Sequence, residues 1–157
     1  MSEPNPYAPP ESPLGRTPVR PSLGRAIVAV LTGGIGVDLM LGTFSMGVLF
    51  GVWALLLGDA DADGIEALAA SFPGELFSFV VGMAFAAAGG YVAARIAPWR
   101  ARPVAAAAGA LSLVVSIPLA LLGAEPGDLF QGAAGVGFVL QIPFAVLGGS
   151  LAARRAA

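Results

Sequence analysis

The chain has no histidine, no cysteine and no lysine; its 157 residues carry eight basic groups, all arginine, against ten acidic ones. The missing His and Cys exclude disulfides, thiolate nucleophiles, the usual zinc sites, haem ligation and any His-based triad. Carboxylates, hydroxyls, amides and guanidiniums remain, so no enzymatic activity is expected and no cofactor is implied. Charge is also scarce, at 11% of residues, whereas 57% are hydrophobic. A chain so apolar belongs in a lipid bilayer rather than in water. Eight arginines are too few, and lie too close to apolar runs, for nucleic-acid binding. The Ala- and Gly-rich, lysine-free composition suggests a GC-rich bacterial genome.

Residues 1–24 hold seven prolines and few large aliphatic side chains, which cannot repay the entropy of ordering, so this segment reads as a disordered tail. Its Asn5-Pro6-Tyr7-Ala8-Pro9-Pro10 stretch has the composition of an extended polyproline helix, and a solvated linker is the simpler account. Residues 25–157 form the membrane domain. Four apolar segments, about 26–57, 76–97, 104–122 and 129–153, each approach or exceed the roughly 20 residues that cross about 30 Å of hydrocarbon as a helix. No strand-like alternation competes, so the expected fold is all-α, an integral-membrane bundle of four transmembrane helices. The first segment is over-long, which requires tilting or a break at Gly33-Gly34-Ile35-Gly36.

The charges divide by side. All eight arginines fall before the first span, between the second and third, or after the fourth. The opposite loops hold Asp59, Asp61, Asp63, Glu66, Glu75, Glu125 and Asp128 with no basic residue. The positive-inside rule then places both termini in the cytoplasm of a multi-pass protein of the bacterial inner membrane.

Two stretches repeat. Pro73-Gly74-Glu75-Leu76-Phe77 opens the second span and Pro126-Gly127-Asp128-Leu129-Phe130 the fourth, while Gly89-Gly90 and Gly148-Gly149 lie near their ends. Duplication of a helical hairpin explains this, as does convergent boundary chemistry. Small residues also recur at every fourth position, as Thr43-Gly47-Gly51, Gly82-Ala86-Gly90-Ala94, Ala108-Ser112-Ser116-Ala120 and Ala145-Gly149-Ala153. Stripes of this kind let helices approach closely in lipid, so Gly47, Gly51, Gly82, Gly90 and Gly149 are expected at helix seams, within the bundle or in a homo-oligomer.

Asp38 is the one charged side chain well inside a span. A central Asp costs at least about 2.5 kcal/mol, so it must face the bundle or water, find a partner or hold a proton. Tyr91, Ser112, Ser116 and Gln141 are its candidate partners at similar depth. Such an intramembrane cluster is either a proton or cation site or a hydrogen-bonded lock on helix register. Pro118 and Pro143 fall inside the third and fourth spans, where each frees a carbonyl four residues back. Asp59, Asp61 and Asp63 alternate like the start of a calcium loop, with Gly64 at the sixth position, but the twelfth is Ala70 and Glu66 comes too early. The simpler reading has Asp63 and Glu66 as the capping box of a short helix whose Ile65, Leu68 and Phe72 face the membrane.

Val37-Asp38 with Gly42-Thr43, the run Gly89-Gly90-Tyr91-Val92-Ala93-Ala94-Arg95-Ile96-Ala97-Pro98, and Ile142-Pro143 with Leu147-Gly148-Gly149 together resemble a loose group of uncharacterised small four-helix bacterial inner-membrane proteins. That resemblance implies the bundle and no activity. The expectation is therefore a structural or accessory membrane protein whose partners are the lipid bilayer and a second copy or another membrane protein. The alternative is a small oligomeric transporter or channel that uses Asp38.

Overall fold

Ser22 starts the first helix. Its hydroxyl accepts a hydrogen bond from the Arg25 amide at 3.1 Å, which satisfies one of the free N–H groups of the first turn. The helix therefore begins at Leu23, inside the segment assigned to the tail. The structure, a computed structural model, describes residues 21–58, 61–121 and 132–155; the rest of the proline-rich segment, Asp59 and the second Pro-Gly motif lie outside the described residues.

The described residues are helical and contain no strand. The first span comprises α1 (Leu23–Val30), a π-helical stretch (Leu31–Leu41) and α2 (Gly42–Leu57). A short helix, α3 (Ala62–Ala70), precedes α4 (Phe72–Ile96); a 3-10 turn (Pro98–Arg100) joins α4 to α5 (Ala101–Leu121), and α6 is Gly132–Arg154. Four of these units are long and apolar enough to cross a bilayer. The chain is a multi-pass membrane protein built as an all-α bundle.

Boundaries differ from the sequence reading for local reasons. The second span begins at Phe72 because Ser71 caps it, accepting from the Gly74 amide, and Pro73 suits the first turn, where its missing N–H costs nothing. The third begins at Ala101, with Pro103 likewise tolerated in its first turn. Asp61, not Asp63, caps α3: its carboxylate accepts from the Gly64 amide at 2.8 Å, so the proposed Asp63–Glu66 capping box does not form. Asp63 instead supplies negative charge to the first turn. Ile65 is half-buried and lines a cavity shared with α2 and α4.

The first span is not broken at its glycines. It widens into the π-helix and continues, with Gly33, Gly34 and Asp38 buried. A Cβ on Gly33 would overlap the Gly89 carbonyl of α4, and one on Gly34 the Ala108 carbonyl of α5. Two adjacent residues thus touch two different helices, and the π-helical stretch sits as a wedge in the α4/α5 groove. Around it, α4, α5 and α6 pack on one another. The parallel pair α4 and α6 is the closest seam: a Cβ at Gly90 would overlap the Ala145 carbonyl, and one at Gly148 the Ala87 carbonyl. Gly149 fits against Ala105 and Ala101 of α5.

At the arginine end, Arg25 donates from Nε to the Ile96 carbonyl at 2.6 Å while its guanidinium lies 5.8 Å from the centre of the Trp99 ring, clamping α1 to the α4–α5 turn. At the acidic end α2 leans on α3 and α4, where Phe50, Trp53 and Phe77 form an aromatic cluster with centroids 5.6–6.0 Å apart.

Candidate intramembrane polar site

Asp38 leaves the wedge toward α5 and α6. The Gln141 amide of α6 donates to Asp38 Oδ2 at 2.9 Å and to the Ser112 hydroxyl of α5, also at 2.9 Å. Gln141 thus bridges the Asp38 carboxyl and the Ser112 hydroxyl, gathering three side chains from three spans into one polar ring. Ser116 lies one turn further along α5, its hydroxyl bonded back to the Ser112 carbonyl at 2.8 Å. Among the described residues no buried side-chain nitrogen or oxygen lacks a partner.

The ring lies well inside the apolar spans. Asp38 is thirteen residues beyond Arg25 and Gln141 thirteen before Arg154, about 20 Å of helix in each case. Gly89 makes room for it: a Cβ there would stand 3.1 Å from that of Asp38 and overlap the Gly33 carbonyl. Three of the five expected members, Asp38, Ser112 and Gln141, therefore meet, and Ser116 flanks them. Tyr91 does not. It lies one turn from the end of α4, packed on the Ala94, Ala101 and Ala152 cluster with the Arg155 guanidinium 6.0 Å from its ring centre. Its position relative to Arg95 signals that depth more directly than its polarity does.

The expected seam glycines also divide. Gly90 and Gly149 are at helix contacts, whereas Cβ atoms at Gly47, Gly51 and Gly82 would meet nothing within 4 Å. Those three meet no other helix of this chain. Gly47 and Gly82 instead line a cavity of about 550 Å³ that reaches Asp38, Ser112, Ser116 and Gln141. The close-packed glycines that the every-fourth pattern missed include Gly33, Gly34, Gly74, Gly89, Gly109 and Gly148. Among the described residues no group of three or more His, Cys, Asp or Glu side chains gathers as a metal site, and Asp61 is engaged in its cap. Neither protein-family models, curated proteins nor solved structures match the chain.

Proposed function

We propose that this is a non-enzymatic accessory protein of a bacterial inner membrane, with both termini cytoplasmic, whose polar ring locks the first span to the third and fourth. One observation carries this reading: Gln141 places one amide on both Asp38 and Ser112, so three spans share a single hydrogen-bonded junction. In lipid, where water exclusion does not drive helices together, such bonds and close packing hold a bundle. The orientation rests on the arginines, and the exposed Ala62 tests it. A cysteine at Ala62 is expected to react with a membrane-impermeant maleimide in intact spheroplasts; reaction only after the inner membrane is opened reverses the topology.

A second reading, a proton or cation carrier, is favoured by the cavity that reaches the ring. Asp38→Asn separates the two. Asparagine keeps the size of the carboxyl and an acceptor oxygen but exchanges no proton, so the lock predicts a melting temperature in detergent within a few degrees of wild type and equal proton leak in liposomes. Proton flux in the wild type that vanishes in folded Asp38→Asn establishes the carrier instead.

A further inference from the structure

We propose that the cavity bounded by α2, α3 and α4 and floored by Asp38 is a binding site for a small amphiphile, an apolar body ending in a protonated amine. Its volume of about 550 Å³ lies within the roughly 300–1,000 Å³ typical of small-molecule sites.

The space is built into the backbone. Gly47 on α2 and Gly82 on α4 both line it, and a Cβ on either meets no atom within 4 Å. The helices cannot simply close over it. Gly42 already rests on Phe85, with a Cβ there 3.3 Å from that of Phe85, and the Phe50–Trp53–Phe77 cluster spaces α2 from α4 toward the acidic end.

The lining selects the ligand. Leu39, Met46, Phe50, Ile65 and Phe85 form apolar walls, and the polar side chains are Asp38, Ser112, Ser116 and Gln141, with Thr43 on α2. A carboxyl at the bottom of an apolar cavity is matched by a head that brings positive charge and N–H donors, as an ammonium does. The carboxyl accepts from Gln141 on Oδ2 and keeps acceptor capacity that an ammonium uses and a lipid tail does not. The proposal rests on the ring holding Asp38 in place, as above.

Trp53 stacks on Phe50, which lines the cavity, and Trp99 is the chain's other tryptophan. The test uses full-length Trp99→Phe protein in phosphatidylcholine bicelles, with Trp53 fluorescence quenched by a bromine-terminated alkylammonium or by the alcohol of equal chain length. Saturable quenching is expected, with the ammonium half-saturating at about a tenfold lower concentration than the alcohol. Asp38→Asn should abolish that preference. Gly82→Leu and, from the opposite wall, Gly47→Leu should remove the saturable phase while melting like the parent. Equal quenching in the parent and the two folded Leu variants would mean quenching from the lipid phase alone and overturns the site. So does saturable quenching with no preference between the heads. The melting of Asp38→Asn reads the ring separately: if it melts as the parent and the amine preference is absent from the parent, the site fails and the lock stands.

Discussion

Gly90→Leu and Gly148→Leu are each expected to lose at least about 4 kcal/mol of stability and to leave little folded protein. In both cases the first carbon of the new side chain overlaps a carbonyl of the facing helix, Ala145 for Gly90 and Ala87 for Gly148. No side-chain rotation relieves an overlap at Cβ with backbone; α4 and α6 must separate, and their contact is the broadest in the bundle. Gly82→Leu on the same α4 is the internal control, since its Cβ enters open space. Thermal unfolding in a mild detergent, followed by circular dichroism, compares the three. Similar melting of Gly82→Leu and Gly90→Leu would remove the distinction between seam and cavity glycines.

Gln141→Leu is expected to cost about 1–3 kcal/mol, because it strips the Asp38 carboxyl and the Ser112 hydroxyl of their shared donor while both stay buried. Asp38→Leu should cost a similar amount by leaving one N–H of the Gln141 amide unmatched while the other stays on Ser112. The double variant is expected to be less destabilised than the sum by roughly 1 kcal/mol, since removing both partners leaves fewer polar groups without a bond. Reversible unfolding in mixed micelles measures all four proteins. Additive losses would show that the ring contributes no coupling between the first and last spans.

Much of this architecture was legible in the sequence. Apolar run length revealed the four spans because backbone in lipid has no other way to satisfy its hydrogen bonds. Asp38, Ser112 and Gln141 stood out as polar residues at matching depth. The glycine seams were less legible because a four-residue period marks a helix face without saying whether that face meets a helix or open space. Gly47, Gly51 and Gly82 fit the period and touch nothing, while Gly33, Gly34 and Gly89 break it and are closely packed. The sharper signal is adjacency: Gly33-Gly34, Gly89-Gly90 and Gly148-Gly149 are doublets, and every member contacts another helix. The π-helix left no such trace, since its turns depend on a groove that α4 and α5 create together. The Arg25–Trp99 clamp joins residues whose neighbours look like ordinary interface chemistry.

The wedge has a consequence for the order in which the bundle is assembled. Synthesis proceeds from the N-terminus, yet the groove that receives Leu31–Leu41 is made by α4 and α5, and Gln141 follows Asp38 by 103 residues. Leu31–Leu41 can therefore dock only once α4 and α5 are in place, and its polar junction closes later still, with α6. Until then Asp38 lacks its Gln141 donor, and the cost of a central Asp, about 2.5–3.5 kcal/mol, is not fully offset. A ribosome stalled before residue 141 would leave that helix seated in its groove with its carboxyl short of a partner, a natural substrate for membrane quality control.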